Sequence, residues 1–164
     1  MKDSKHLDFD GWYRANHARV LAGVRIVADV DQETAEEATQ LAFVKALERW
    51  WRVQKMTSPV GWTVRVGVNN ARSALSKQKK QRTIESAHTK ESSPGHFDLY
   101  EDTDLWDRVR ALPEKQRMTI VLRYIEDLSQ AEIAERLDVR PGTVAATLHQ
   151  ARAGLRASTP KELS

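Results

Sequence analysis

The residues of this chain whose types and spacing can do chemistry are amides, hydroxyls and cations at helical steps, not a catalytic set. Near the C-terminus Thr143, Ala146, Thr147 and Gln150 share one helical face, with Arg140, Arg152 and Arg156 around it. A glutamine can pair bidentately with adenine, threonine and alanine methyls suit thymine, and arginines anchor phosphates. Upstream, Trp62, Arg65, Asn69, Arg72 and Ser76 recur at three- and four-residue steps on a mostly polar face. Arg65, Arg72, Lys77, Lys79, Lys80 and Arg82 follow one another with no acid between them, a run that attracts phosphates. The five histidines, His6, His17, His88, His96 and His149, make no metal-ligand spacing. No phosphate-binding glycine loop and no nucleophile–base pattern is present either. The reading is therefore of a binding protein, not an enzyme, with no metal and no cofactor.

The C-terminal face works only on a helix held at a fixed angle, and the segment 129–144 is built to hold one. Ser129 and Glu132 stand as S-x-x-E, a capping box in which each side chain satisfies a backbone N–H of the other residue. Ile133 and Leu137 share a face, and Ala134 is small enough for a second helix to cross closely. Asp138 falls where the turn needs a left-handed residue, a conformation that Asp tolerates. Pro141 opens the next helix in its first turn, where a missing N–H costs nothing. Val144, Leu148, Ala151 and Leu155 then point back at the first helix. This is a helix-turn-helix, which lays its second helix in the DNA major groove.

The remaining elements are also helical. Among 164 residues there are only seven glycines and five prolines, and hydrophobic residues make up 40%. Phe9, Trp12, Tyr13, Val20, Leu21, Val24 and Val27 describe one long helix ending near Asp29. Asp31 caps a second, running to about Arg52, with Ala35, Ala38, Ala42, Ala46 and Trp50 inside and Leu41, Phe43 and Leu47 widening the stripe. Ser58-Pro59 starts a third, which buries Val60, Val64, Gly67, Val68, Ala71 and Leu75. The tryptophans read as core, except Trp62, which is suited to a partner or DNA.

From 83 to 103 the periodicity fails, and Glu85, Glu91, Asp98, Glu101 and Asp102 outnumber the single Lys90. So long an irregular stretch is a flexible acidic linker between domains. A short helix to Leu112 and a Pro113-started helix to about Glu126 follow, with Leu105, Val109, Leu112, Ile120, Val121, Tyr124 and Ile125 as core. The expected fold is all-α: two small helical domains, 8–82 and 104–158, joined by the linker 83–103. The absence of cysteine fits a reducing cytoplasm. The first residues have no apolar stretch for a signal peptide, and no run suits membrane insertion.

In this order the motifs resemble the extracytoplasmic-function sigma factors of bacterial RNA polymerase. The first block carries Ala35-Glu36-Glu37-Ala38-Thr39-Gln40-Leu41-Ala42-Phe43, then Trp62 followed by Arg65 and Asn69. The second carries Leu112-Pro113 with Arg117, Leu122-Arg123-Tyr124, Glu132-Ile133-Ala134, Gly142-Thr143-Val144, and Ala151-Arg152 with Leu155-Arg156. The resemblance implies a sigma-2-like domain, a linker and a sigma-4-like domain that bring polymerase core to promoters. By it, Glu36, Glu37 and Gln40 grip the clamp helices of the β′ subunit, and the second domain meets the β flap. Gln54 and Lys55 lie in the loop that captures a flipped base of the −10 element. Trp62, Arg65, Asn69, Arg72 and Lys77 line −10 DNA, while Arg140, Thr143, Ala146, Thr147, Gln150 and Arg152 meet the −35 element. The family is often held by an anti-sigma factor, a partner the resemblance allows and no motif here specifies.

One segment departs from the family. Relatives continue Gly-Thr-Val with Lys, Ser and Arg, where this chain has Ala145, Ala146 and Thr147, and Arg140 replaces the usual Ser before the proline. Fewer cations near the bases imply a weaker, less salt-sensitive hold on the −35 element. Two other readings fit the same residues: a stand-alone two-domain helix-turn-helix regulator, and a sigma-like protein acting through protein partners. The Glu36/Gln40 face and the Trp62–Asn69 helix favour the sigma factor, since a plain repressor needs neither.

Overall fold

Several helix starts in this protein fall where capping side chains put them. In the computed structural model, which describes the backbone of residues 3–84 and 103–157, every regular element is helical. Glu85 to Asp102, most of the expected linker with His88 and His96, lie outside the described residues, as does the side chain of His6. The chain divides into two units, residues 1–96 and 97–164.

The first unit holds α1 (Asp3–Ala28), α2 (Gln32–Glu48), α3 (Trp50–Val53) and α4 (Pro59–Ile84). Asp29 ends α1 with a left-handed φ of 53°. Asp31 then caps α2, its Oδ1 accepting from the Thr34 N–H at 2.8 Å. Ser58 caps α4 in the same way, accepting from the Gly61 N–H at 2.9 Å. Helices α1, α2 and α4 pack on one another. Their core joins Val20, Val24, Ile26 and Val27 to the alanine stripe of α2 and to Val64, Val68 and Ala71. Alanines let the axes approach, and Gly67 lets α4 lie close against α1. A Cβ there would stand 2.5 Å from Val24 Cγ2. Asn70 ties α4 to α2, donating to the Ala38 carbonyl at 3.2 Å. Buried Arg25 donates to Gln32 Oε1 at 2.9 Å across the first turn.

Four expectations for this unit change. The second helix does not run unbroken to Arg52; it stops at Glu48, and Arg49 at φ −113° and ψ 22° separates it from α3. Leu41 and Leu47 are not core but exposed, as is Val44. At three-residue steps these positions drift to the side of α2 opposite the alanines. Leu75 lies at the exposed far end of the α4 stripe and Val60 is half-buried, so that stripe is shorter than its periodicity implied. The tryptophans also divide: Trp50 and Trp106 are buried, Trp12 and Trp62 half-buried, and Trp51 is 64% exposed. Trp50 closes an aromatic cluster, with Trp12 at 4.8 Å and Phe9 at 5.2 Å between ring centroids.

The second unit holds α5 (Thr103–Arg110), α6 (Glu114–Ile120) with a π-helical turn (Val121–Ile125), α7 (Gln130–Leu137) and α8 (Pro141–Ala157). Arg117 donates from Nη1 to the carbonyls of Arg110 (2.9 Å) and Leu112 (3.2 Å). It thereby satisfies carbonyls at the C-terminal end of α5 that have no helical partner. Arg108 donates to the Leu155 carbonyl at 3.2 Å and joins α5 to the end of α8. The π turn corrects the expected core. With Glu126 N–H bonded to the Val121 carbonyl at 3.1 Å, the wider turn shifts the following side chains around the axis. Leu122 is fully buried in consequence, while Tyr124 is 52% exposed. Leu105 is only half-buried.

Gly67→Ala should lower the stability of the first unit by about 1–3 kcal/mol, because overpacking against Val24 exceeds the gain of about 1 kcal/mol in helix propensity. A urea titration followed by the fluorescence of the Trp12–Trp50 cluster measures it; an unchanged midpoint would mean that α1 moves away at little cost.

Candidate nucleic-acid interface

The helix-turn-helix forms as its sequence dictates. The Ser129 Oγ accepts from the Glu132 N–H at 3.1 Å, and Glu132 Oε1 accepts from the Ser129 N–H at 3.4 Å, completing the capping box. Asp138 takes the left-handed conformation, φ 55° and ψ 48°. Pro141 opens α8, and the Arg140 carbonyl accepts from Thr143 and Val144. Helix α8 packs on α6 and α7. Val144, Leu148 and Ala151 are buried, Leu155 half-buried.

Away from that seam lie Thr143, Ala145, Ala146, His149 and Gln150, all exposed, with Arg140 exposed just ahead of them. Two of the expected contact residues sit off the centre of this face. Thr147 is half-buried, and its hydroxyl donates to the Thr143 carbonyl at 2.8 Å. Arg152 is on the far flank, where its Nε donates to the Tyr124 hydroxyl at 2.9 Å. The Arg123 guanidinium lies 5.9 Å from the same ring. Sequence reasoning placed Tyr124 in the core and passed over His149; the π turn exposes the first, and helical phase alone marks the second as outward. The outward surface is nearly neutral and rich in methyl groups, which suits contact with base edges more than with phosphates.

In the first unit Arg65, Asn69, Arg72 and Ser76 form an exposed stripe along α4, with Trp62 half-buried at its start. Lys77 is exposed but stands about a third of a turn from Arg65, whereas Lys79 and Lys80 continue the stripe more closely. In the turn before α4, Gln54 is half-buried and Lys55 exposed. Glu36, Glu37 and Gln40 are exposed on α2, and Glu36 accepts from Gln32 Nε2 at 2.8 Å. Glu37 and Gln40 share their face with Leu41 (57% exposed) and Val44 (50%). That apolar strip is absent from the sequence-based site, where Leu41 is expected in the core and Val44 is not singled out.

Residues 103–155 match the family model for sigma-70, region 4. Over 132 residues the chain is 33% identical to RNA polymerase sigma factor SigV of Bacillus subtilis (strain 168), covering 80% of each protein. A shorter stretch of 49 residues, 30% of this chain and 26% of the other, is 45% identical to the ECF RNA polymerase sigma factor SigW of the same organism. The chain belongs to the extracytoplasmic-function sigma factors. The fold of this sigma factor is also that of the sigma factor RpoE, solved with the anti-sigma factor NepR from Bartonella quintana. That match has a TM-score of 0.72 at 18% identity and covers 92% of this chain and 95% of RpoE.

The turn of the helix-turn-helix makes a stability prediction. Asp138→Gly should raise the stability of the second unit by roughly 0.5–1 kcal/mol, since glycine adopts a left-handed φ without strain and removes an acid from a helix C-terminus. A rise in its thermal midpoint is the expected readout; a fall would assign the Asp138 side chain a stabilising role in the turn.

Proposed function

We propose that this sigma factor binds RNA polymerase core and directs transcription initiation at promoters read through two separate surfaces. Residues 8–82 serve as the core-binding and −10 unit, 83–103 as an acidic tether, and 104–158 as the −35 unit. One observation carries the division: the exposed face of α8 and the exposed cationic stripe of α4 are both shaped for nucleic acid, yet belong to different units. The sigma factor selects where the polymerase acts and performs no chemistry itself. It works in the cytoplasm, where polymerase and chromosome are. Among the described residues, no helix is long and apolar enough to cross a membrane.

Within this reading Arg65 and Arg72 position phosphates, Asn69 supplies hydrogen bonds to −10 DNA, and Lys55 and Gln54 flank the captured base. Gln150 and the methyls of Thr143 and Ala146 read the −35 element, with Arg140 at its backbone. Lys77 contributes less than its place in the basic run implied, because it lies off the stripe. On α2 the surface that meets the clamp helices joins Glu37 and Gln40 to Leu41 and Val44, so burial of apolar area accompanies the polar contacts. The β flap is the second unit's partner on the polymerase. An anti-sigma factor is the natural regulator, as in the solved RpoE complex. Neither a stand-alone regulator nor a protein working through protein partners alone gains support over this reading.

Adding the purified chain to polymerase core with a promoter library tests the assignment. Co-purification with core and transcripts from a defined promoter set are expected; failure of both would sink it. Leu41→Asp combined with Val44→Asp should weaken core binding by roughly 1–3 kcal/mol without unfolding the unit, since both side chains already face solvent. Gln150→Ala should reduce discrimination at one −35 base pair by about 1–3 kcal/mol. Competition between promoter variants measures it, and an unchanged preference would remove Gln150 from the reading face.

A further inference from the structure

A full positive charge lies inside the first unit, and a chain of hydrogen bonds leads from it to the surface of α2. Arg25 is 3% exposed, on a helix whose other buried residues are apolar. A guanidinium in such a place is costly unless its N–H groups are bonded. Its Nη1 donates to Gln32 Oε1 at 2.9 Å, and Gln32 Nε2 donates in turn to Glu36 Oε1 at 2.8 Å. Gln32 is half-buried and Glu36 exposed, so two bonds run from core to solvent.

The group between Arg25 and Glu36 must meet opposite demands. A guanidinium only donates and an ionised carboxylate only accepts, so the middle group has to accept at one end and donate at the other. An amide does both without adding charge, and its two neighbours fix which way it points. The turn between α1 and α2 keeps the three side chains in register. The Asp29 N–H bonds to the Arg25 carbonyl at 3.0 Å, its left-handed φ ends α1, and Asp31 caps α2 one residue before Gln32. Glu36, Gln40 and Val44 then follow Gln32 at four-residue steps, all three exposed, as one row along α2.

We propose that Gln32 is a positioning residue for polymerase binding, holding the Glu36 carboxylate in one rotamer with buried Arg25 as its anchor. The inference rests on the reading of α2 as the helix that meets polymerase core. A glutamate on an open helix surface samples several rotamers and loses that freedom when a partner binds. Here the loss is taken on folding, before the partner arrives. The bond from the guanidinium also polarises the amide and strengthens the N–H that holds Glu36. Arg25 thus acts at the surface of α2 without being exposed there.

Equilibrium binding of the full chain to polymerase core tests this, in a double-mutant cycle with Glu36. Gln32→Leu removes both bonds. Gln32→Glu keeps an acceptor for Arg25 but cannot donate to Glu36 and repels it. With Glu36 present, each should weaken core binding by about two- to ten-fold, the cost of ordering one flexible side chain on association. In the Glu36→Ala background both should lose that effect, with urea midpoints showing that folded variants are compared. A role confined to the fold predicts otherwise: Gln32→Glu binding like the wild type, or the same loss with and without Glu36. Either result overturns the proposal. If both Gln32 variants bind normally while Glu36→Ala weakens binding, the proposal alone falls. If Glu36→Ala, Glu37→Ala and Gln40→Ala are all silent, α2 does not meet polymerase core, and the underlying reading falls with it.

Discussion

A recognition helix reads bases only if its angle to the rest of the domain is fixed, and here that angle rests on the turn between Leu137 and Pro141. The capping box at Ser129 starts α7 at a set residue, and the left-handed Asp138 stops it two turns later. The Val139 N–H bonds back to the Ala134 carbonyl at 2.9 Å, so the chain leaves α7 in one direction only. Pro141 then begins α8 with its φ already restricted. Everything on the outward face of α8 inherits its position from this turn. A change of one residue in the length of α7 would rotate that face by about 100°.

The first unit relies on close approach instead. Alanines on α2 and Gly67 on α4 bring three helices together with small side chains, so its core depends on shape more than on bulk. The same economy leaves large apolar residues over, and Leu41, Val44, Leu47 and Trp51 stand in solvent. Exposed apolar side chains at these helical steps suit contact with a protein partner. The unit thus carries two distinct surfaces: an apolar strip with acids on α2, which suits a protein partner, and a cationic stripe on α4, which suits nucleic acid.

Electrostatics divides between the units in an unusual way. Helix α4 carries a dense run of cations, while α8 presents methyls and amides and leaves charge to Arg140, Arg152 and neighbouring elements. Cations near phosphates supply affinity with little sequence content, and neutral polar groups supply discrimination with little affinity. On the proposed reading, α4 supplies affinity and the outward face of α8 supplies discrimination.

Local chemistry was legible in the sequence because it depends on neighbours a few residues away. Asp31, Ser58 and Ser129 cap their helices, Asp138 is left-handed, and the stripe of Arg65, Asn69 and Arg72 is exposed, each for reasons contained in its own segment. The helix-turn-helix, and with it the all-α class, followed from such rules. What failed depended on phase across a longer span or on a partner element. The break at Arg49, the π turn that exposes Tyr124 and buries Leu122, and the outward turn of Leu41 and Leu47 are set by how helices pack. The bond from Arg152 to Tyr124 joins residues 28 positions apart, and no spacing rule reaches that far. Sequence alone determined the caps that start α2, α4 and α7 and the left-handed turn that stops α7. Only tertiary packing decided which of the remaining faces were left to meet a partner, because burial is a property of two surfaces and a single segment carries only one.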